Sequence, residues 1–393
     1  MPPLKILRLK KKEDRRLRRG HPWAFSNEFE SKLSGIEPGE LVAVTDHEGR
    51  PVGTGYANPH SLIAVRILCG PGEEFGPGLL RDRVQGARAL RDLFCAGREA
   101  YRAVFSESDL LPGLVVDRYG DWLSVQALTA GMDRLLPHAL DALREAYGPA
   151  GIVLRNDSSQ RALEGLPLEK TVLEGDYPGR VDIGIAGLRF KVDLLGGQKT
   201  GFFLDQVDNY SLLDKVAGGS EVLDLFCHTG AWTLYAAHAG AASALGVDSS
   251  GPALALALEN ARANGLDGTA SFMEEDVFSA LKRINASGKR YDVVVVDPPA
   301  FIKSRAKLAE GLKGYRNLNA QAMKAVRPGG FLISSSCSHH LDRETFREVL
   351  RAGALGAGRA VRLLEMRSQS KDHPVLLAAP ETEYLKCALL QVL

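Results

Sequence analysis

Cysteine is scarce in this sequence, and its few positions do not form a paired pattern. Five cysteines occur among the 393 residues: Cys69, Cys95, Cys227, Cys337 and Cys387. Zinc sites and disulfide-rich domains need closely paired cysteines, so this spacing argues against both. It is typical of a protein in a reducing compartment, and we predict no metal site.

Long apolar runs are also missing. The chain begins Met1-Pro2-Pro3-Leu4-Lys5, with no long apolar stretch behind it, unlike a secretory signal peptide. No segment offers the roughly 20 apolar residues that a membrane-spanning helix needs. Hydrophobic residues still make up 45% of the chain, which is ample for the cores of two or three domains. We therefore expect a cytoplasmic protein with no membrane partner.

Net charge is close to zero, at +1, but it is unevenly distributed. The segment from Lys5 to Arg19 is strongly basic and contains only Glu13 and Asp14 as acids. A basic block is usually a solvated surface, and the alternative is a contact with nucleic-acid phosphates. The candidates for phosphate contacts are Arg15, Arg16, Arg18 and Arg19.

The most informative stretch is 222–232, Val-Leu-Asp-Leu-Phe-Cys-His-Thr-Gly-Ala-Trp. Its apolar first half predicts a buried strand, and an alanine-rich helix is predicted from Trp232 to Ala242. A nucleotide-like ligand meets such a strand, turn and helix at the carboxyl end of the strand, where Gly230 allows close approach. Asp224 would lie beside that ligand.

Three more predicted strands end in acids. They are Ala244–Asp248, Ala270–Asp276 and Tyr291–Asp297, the last of which continues into Pro298-Pro299-Ala300-Phe301. An acid in the position of Asp248 suits the hydroxyl pair of a ribose, and Asp276 could lie against an adenine amine.

This succession resembles the class I S-adenosylmethionine-dependent methyltransferases over roughly the last half of the chain. The resemblance implies a Rossmann-like parallel sheet that ends in an antiparallel hairpin, for which we take the segment from Asp372 to Leu390. It also implies S-adenosylmethionine as cofactor. The residues implied in its pocket are Asp224, Phe226, Thr229, Gly230, Asp248, Asp276, Val277 and Asp297. The turn Asp-x-Phe-x-x-Thr-Gly departs from the usual glycine-rich form, as in the pyrimidine-modifying branch of the family.

A fifth predicted strand, Phe331–Ile333, follows a turn at Arg327–Gly330 and leads into the polar loop Ser-Ser-Ser-Cys-Ser-His-His. In the family's sheet this strand adjoins the fourth, so Asp297 and Cys337 should face one pocket. Methylation of a pyrimidine at C5 first requires a thiolate to add to C6, and Cys337 suits that role. Cys227 is its closest competitor, but we assign it to the donor pocket.

The Asp-Pro-Pro loop, residues 297–301, is stiff because each proline restricts its own φ and the residue before it. We predict that Asp297 is catalytic and holds the base at its N3 and exocyclic amine edge. Phe301 would stack on a flipped base, and Pro298 and Pro299 would line the substrate site. The base that removes the C5 proton stays open among His339, His340, Asp297 and water.

The first 75 residues predict a compact β domain. A basic helix, a Gly-His-Pro-Trp-x-Phe segment and a Gly-x-Gly-x-Tyr-x-Asn strand resemble the PUA domain, a small RNA-binding β-barrel. We take Trp23 and Phe25 as core aromatics. A Gly/Pro-rich segment at 70–78 predicts a boundary, and an α+β middle domain for RNA docking or domain spacing is predicted over 76–190. Residues 191–393 would form the methyltransferase domain.

The string Gln-Lys-Thr-Gly-Phe-Phe-x-Asp-Gln at 198–206 closely resembles a motif of one family. Its members are bacterial large-subunit (23S) ribosomal RNA cytosine-C5 methyltransferases with an amino-terminal PUA domain. The resemblance covers nearly the whole chain and implies that Lys199, Thr200, Phe202 and Asp205 line the cofactor pocket.

The resemblance therefore predicts methylation of C5 of a cytidine in 23S ribosomal RNA through a covalent adduct of Cys337. A uracil-C5 methyltransferase and a guanine exocyclic-amine methyltransferase stay open, as does an RNA-binding ribosome assembly factor without activity. A precursor of the large ribosomal subunit as partner, and a homodimer, also stay open.

Overall fold

The computed structural model describes residues 3–30, 33–197 and 200–393. The chain divides into two compact units, which are described separately. The first unit comprises Met1–Ile183, Val192–Leu204 and Lys371–Thr382, and the second comprises Gly184–Lys191, Asp205–Ser370 and Glu383–Leu393.

The first unit begins with a sheet in the order β1-β3-β4-β5-β2. Its strands are β1 (Lys5–Arg8), β2 (Trp23–Phe25), β3 (Glu40–Thr45), β4 (Pro51–Ala57) and β5 (Ile63–Cys69), with the short helix α1 (Asp14–Arg18). The basic segment predicted as a helix is therefore a strand followed by one helical turn. Leu7 and Leu9 are buried and alternate with the exposed Ile6, Arg8 and Lys10, which is the period of a strand.

A second sheet in this unit has the order β10-β9-β8-β7-β6. Its elements are α2 (Pro77–Phe94), β6 (Ala100–Phe105), β7 (Leu114–Tyr119), β8 (Trp122–Ala127), α3 (Ala130–Tyr147), β9 (Gly151–Asn156), α4 (Ser159–Leu163) and β10 (Glu169–Glu174). Helix α3 begins where the Thr129 side chain accepts a hydrogen bond from the Met132 amide, a standard N-cap. This is the α+β arrangement expected for the middle of the chain.

Buried polar contacts join these two sheets inside the first unit. The Tyr56 hydroxyl donates to the Pro112 carbonyl at 2.7 Å. Arg66 pairs with Glu164 at 2.9 Å, and both side chains are nearly buried. The two sheets therefore share one compact unit, and the predicted domain boundaries stay a prediction.

The second unit is built on a sheet in the order β15-β14-β13-β16-β17-β19-β18. Its strands are β13 (Glu221–Leu225), β14 (Ser243–Asp248), β15 (Ala270–Glu274), β16 (Tyr291–Val296), β17 (Val326–Ser336), β18 (Val361–Arg367) and β19 (Lys386–Val392). The pairs among β13 to β17 are parallel, and β19 is antiparallel to both its neighbours. This confirms the predicted Rossmann-like class.

Helices connect the strands of this sheet. They are α5 (Ala231–His238), α6 (Gly251–Ala263), α7 (Val277–Ser287), α8 (Leu308–Ala325) and α9 (Arg343–Ala357). A separate pair of strands is β11 (Val181–Ile185) and β12 (Leu188–Val192). Short 3-10 segments are Ser26–Glu28, Ser106–Asp109, Leu204–Lys215, Arg305–Lys307 and Pro380–Thr382. Among the described residues, no helix has the length and apolar character needed to cross a membrane.

Three predicted boundaries differ from the structure. The helix predicted to reach Ala242 ends at His238, because Gly240 adopts a left-handed φ of +89°. The predicted turn at 327–330 lies inside β17 as a bulge, since Tyr291 pairs with Val326 and Val293 pairs with Phe331. The terminal hairpin is formed by β18 and β19, so its first strand precedes the segment predicted to begin it.

Candidate active site

Acidic residues gather at one edge of the second unit's sheet. Asp224 lies near the end of β13 and Asp248 ends β14, while Asp276 and Asp297 follow β15 and β16. Because these four strands are parallel, their carboxyl ends lie at the same edge. The acids picked out in the sequence therefore share this edge.

Asp224 is fully buried, and one of its oxygens lacks a hydrogen bond. Its Oδ2 accepts a hydrogen bond from the Thr233 hydroxyl at 2.6 Å. Its Oδ1 is buried without a hydrogen-bond partner among the described residues. Burial, together with the nearby carboxylates of Asp297 and Asp248, raises the pKa of Asp224 to about 7. A buried acceptor of this kind fits a site that awaits a ligand with hydrogen-bond donors or positive charge.

The loop after β13 has an unusual backbone conformation. Phe226 and His228 have φ values of +66° and +49°, a region that side chains other than glycine rarely adopt. Gly230 has a φ of +82°, and a Cβ there would lie 2.9 Å from the Phe272 ring. Thr229 is nearly buried between these residues. Strain of this kind concentrates at ligand-binding loops.

Asp248 holds this loop through both of its carboxylate oxygens. Its Oδ2 accepts the His228 amide and its Oδ1 accepts the Ser250 amide, each at 2.9 Å. Each carboxylate oxygen can accept a further hydrogen bond, so a ribose hydroxyl pair is compatible with this arrangement.

Asp276 is exposed and caps helix α7. Its Oδ1 accepts the Ser279 amide at 2.9 Å and the Ser279 hydroxyl at 3.0 Å. The side chain of Val277 is buried in the core, so only its backbone could contact a ligand. Val277 is the first residue of α7, where the amide has no partner within the helix.

Two side chains that the sequence interpretation did not select hold Asp297. Gln206 Nε2 donates to Oδ1 at 2.9 Å, and Trp232 Nε1 donates to Oδ2 at 3.1 Å. Gln206 is in turn fixed by Asn209, whose amide donates to its Oε1 at 2.7 Å. Gln206 closes the motif string quoted above and Trp232 follows the glycine turn, so both lay within recognised motifs.

Cys337 follows β17 directly, beside the Asp-Pro-Pro loop. Strands β16 and β17 are neighbours, and Cys337 Sγ lies 3.9 Å from the Pro298 carbonyl oxygen. Cys337 is half-buried, whereas the other four cysteines are buried. Burial and the carboxylates of Asp224 and Asp248 raise the pKa of Cys227, which disfavours a thiolate there. Burial likewise raises the pKa of Cys387 to about 12.

The Asp-Pro-Pro loop is tied to the loop of Cys337. Pro298 is buried and Pro299 is exposed. The Phe301 ring lies against Tyr315, with centroids 4.7 Å apart and planes at 35°. The hydroxyl groups of Tyr315 and Ser338 are 2.9 Å apart, which links the two loops. The half-buried face of Phe301 is therefore held beside the cysteine loop.

The residues of the 198–206 string are distributed over both units. Lys199 lies outside the described residues. In the first unit, the Thr200 hydroxyl donates to Asp117, and the Phe202 amide donates to the Tyr119 hydroxyl at 3.1 Å. In the second unit, Asp205 is buried.

The four arginines proposed for phosphate contacts differ in their surroundings. Arg16 pairs with Glu28 at 2.8 Å and lies over the Phe25 ring at 4.5 Å. Arg18 pairs with Asp14 and with the buried Asp46. Arg15 and Arg19 are exposed. Trp23 and Phe25, expected in the core, are only half-buried; the Trp23 indole donates to Glu107, and the Arg16 guanidinium lies over the Phe25 ring.

Lys386 is a further charged residue that the sequence interpretation missed. It is 3% exposed and begins β19, opposite Ser336. The sequence does indicate it, because a lysine within the otherwise apolar segment Tyr-Leu-Lys-Cys-Ala-Leu-Leu is a charged residue in a predicted buried strand. Burial lowers the pKa of Lys386 to about 8.

Two parts of the sequence match known families. Residues 7–69 match the family of PUA-like domains, and residues 152–350 match the S-adenosylmethionine-dependent methyltransferases. The strand-end acids, the strained loop and the unpaired oxygen of Asp224 fit that cofactor. The fold and site therefore define an S-adenosylmethionine-dependent methyltransferase with a PUA-like domain.

Full-length relatives narrow this class. A protein named ribosomal RNA large subunit methyltransferase I from Photobacterium profundum is 38% identical over 385 residues, covering 96% of this chain and 97% of the relative. A protein of the same name from Shewanella denitrificans is 38% identical over 393 residues, covering 98% and 99%. The chain belongs to the ribosomal RNA large subunit methyltransferase I family.

Two solved structures have the same fold over almost the whole chain. One is described as a SAM-dependent methyltransferase from Streptococcus mutans, with a TM-score of 0.85, 22% identity and coverage of 99% of this chain and 100% of that chain. The other is SMU.776 in complex with SAH, with a TM-score of 0.87, 22% identity and the same coverage.

Proposed function

We propose that this protein methylates C5 of a cytidine in the 23S RNA of the large ribosomal subunit, through a covalent adduct between Cys337 and C6. The observation that carries the proposal is the half-buried thiol of Cys337 at the end of β17, 3.9 Å from the carbonyl of Pro298. The names of the full-length relatives support ribosomal RNA as the substrate, and with it a place of action in the cytoplasm. The PUA-like match supports RNA binding.

The first step of the proposed reaction is the attack of Cys337. Its thiolate forms the bond from Sγ to C6, and the electron pair of the C5–C6 double bond makes C5 the nucleophile. S-adenosylmethionine supplies the methyl group, which C5 accepts as the sulfur–methyl bond breaks. A base then removes the C5 proton, the C5–C6 double bond re-forms and the Cys337 thiolate leaves. His339, His340, Asp297 and water remain candidates for that base.

Asp297 is proposed to hold the target base. Gln206 and Trp232 each donate one hydrogen bond to its carboxylate and so fix its orientation. An ionised carboxylate only accepts hydrogen bonds, and cytosine presents an exocyclic amine where uracil presents a carbonyl oxygen. N3 accepts a hydrogen bond in cytosine but donates one in uracil, so contact with the exocyclic amine favours cytosine and contact with N3 favours uracil.

Phe301, Pro298 and Pro299 would receive the extruded base. An extruded base is commonly stacked on aromatic or apolar side chains, and the half-buried Phe301 beside the exposed Pro299 offers such a surface. Among the basic residues, the exposed Arg15 and Arg19 are the ones proposed for phosphate contacts.

Nucleoside mass spectrometry tests the proposal. Unmodified large-subunit RNA is incubated with S-adenosylmethionine and the native protein, Cys337→Ala or the control Cys95→Ala. The native protein and the control should form 5-methylcytidine, and Cys337→Ala should form none. 5-Methyluridine would correct the base, and an N-methylated purine, or full activity of Cys337→Ala, would refute the covalent mechanism. The absence of any methylated nucleoside would favour the assembly-factor alternative.

The same assay decides the form of the substrate. Naked RNA and an isolated precursor of the large subunit are compared at equal concentrations of the target nucleotide. Faster methylation of the precursor would assign the enzyme to assembly, and faster methylation of naked RNA would assign it to free transcripts. Sedimentation of the active protein tests the homodimer.

A further inference from the structure

Lys386 places a buried ammonium group beside the loop that carries Cys337. Lys386 lies on β19 opposite Ser336, the last residue of β17. Its Nζ donates to the Ser338 carbonyl at 2.8 Å and to the Tyr384 carbonyl at 2.7 Å. Because Ser338 follows Cys337 directly, the cation is anchored to the backbone of the cysteine loop.

The charge of this lysine is not matched by a contacting acid in the part of the chain that the structure describes. Among the described residues, Lys386 forms no ion pair within 4.0 Å. The groups that act on it from a greater distance are Asp342, Glu383 and Cys337, which favour the ammonium, and Arg343, which opposes it. Burying a charge without a partner is costly, so such a residue is retained where its charge has a use.

A purely structural role does not need the charge. The carbonyl groups of Ser338 and Tyr384 need donors, but a neutral amide could supply hydrogen bonds at lower desolvation cost. The pKa of Lys386, lowered to about 8 by burial, still leaves the ammonium as the main form at neutral pH. A positive charge beside a thiol favours the thiolate, which is the reactive form of cysteine.

We propose that Lys386 is a positioning residue that holds Cys337 as a thiolate, through its buried ammonium group anchored to the adjacent Ser338 carbonyl. The inference rests on the proposed covalent mechanism. The thiol proton passes to solvent, since the ammonium already carries all its protons. No bond forms between sulfur and nitrogen, and Lys386 acts on the reaction only through Cys337.

The test measures the reactivity of Cys337 without methyl transfer. The full-length protein is alkylated with iodoacetamide between pH 5.5 and 10, and the modified Cys337 peptide is quantified by mass spectrometry. Native protein, Lys386→Met, Lys386→Arg and the control Lys215→Met are compared. Lys215 is an exposed lysine of the same unit, and binding of S-adenosylhomocysteine verifies that each variant is folded.

In Lys386→Met the midpoint of the rate profile should rise by about one pH unit, and the rate at pH 7 should fall about tenfold. Lys386→Arg, which keeps the charge, should restore most of the reactivity, and Lys215→Met should match the native protein. An unchanged profile in Lys386→Met would overturn the inference. A native midpoint at or above about 8.5, the ordinary thiol value, would overturn it without any variant.

The experiments distinguish a wrong role for Lys386 from a wrong catalytic mechanism. If Cys337→Ala is inactive but Lys386→Met has the native profile, the covalent mechanism stands and only the role of Lys386 is wrong. If Cys337→Ala still forms 5-methylcytidine, the proposed mechanism itself is wrong.

Discussion

Replacing Asp224 with asparagine should change how stability depends on pH. Asp224 is fully buried, and its pKa is raised from 3.8 to about 7, chiefly by burial and then by the carboxylates of Asp297 and Asp248. The native state therefore binds this proton more tightly than the unfolded state does. The resulting stability is fully present below the pKa of Asp224 in the unfolded state, and it is lost as the pH rises through about 7.

The size of the effect follows from the linkage relation. Between the ordinary pKa of 3.8 and the native-state pKa of about 7, each pH unit changes the free energy of unfolding by about 1.4 kcal/mol. Between pH 5.5 and 8 the cofactor-free native protein should lose about 2 kcal/mol from this group, most of it below pH 7. Asp224→Asn keeps the shape of the side chain and cannot ionise, so it should escape that loss.

Urea denaturation at pH 5.5 and pH 8 provides the assay. At each pH the free energy of unfolding of Asp224→Asn is compared with that of the native protein. Relative to the native protein, the variant should be about 2 kcal/mol more stable at pH 8 than it is at pH 5.5. The control Asp276→Asn removes an exposed carboxylate that caps α7, and asparagine is an equally good N-cap. Its difference from the native protein should stay the same at both pH values. A difference for Asp224→Asn that is equal at both pH values, or that shrinks at pH 8, would refute the reasoning.

Two further substitutions test single contacts. Trp232→Phe removes the indole donor to Asp297 but keeps an aromatic ring against Tyr210, and we expect methyl transfer to fall about tenfold because loss of one hydrogen-bond partner of a partly buried group costs about 1–3 kcal/mol. Single-turnover rates at saturating RNA measure this, and a native rate would show that the donor is dispensable. Tyr56→Phe removes the buried donor to the Pro112 carbonyl, and we expect a loss of about 1–3 kcal/mol in the free energy of unfolding. Urea denaturation measures this loss, and unchanged stability would contradict it.

The succession of strands was predictable because buried parallel strands are nearly continuous apolar runs. The run of valines in β16 and the apolar half of β13 carry that signal in their own residues. Boundaries were less predictable where pairing decided them. The segment 327–330 looks like a turn by composition, yet it lies inside β17 because the strand resumes its pairing with β16 at Phe331.

The sequence by itself determined the class of the protein and the side chains at the ends of its strands. Asp224, Asp248 and Cys337 follow from local patterns, because alternation, glycine turns and apolar runs are encoded by neighbouring residues. Their roles as site residues stay predictions that the experiments above address.

The tertiary structure alone decided which distant residues meet. Gln206 reaches Asp297 across 91 positions of the chain, and Lys386 reaches the carbonyl of Ser338 across 48. Such contacts depend on strand order and register, which arise from pairing between segments far apart in the sequence. The burial that raises the pKa of Asp224 and lowers that of Lys386 likewise exists only once the sheet has assembled.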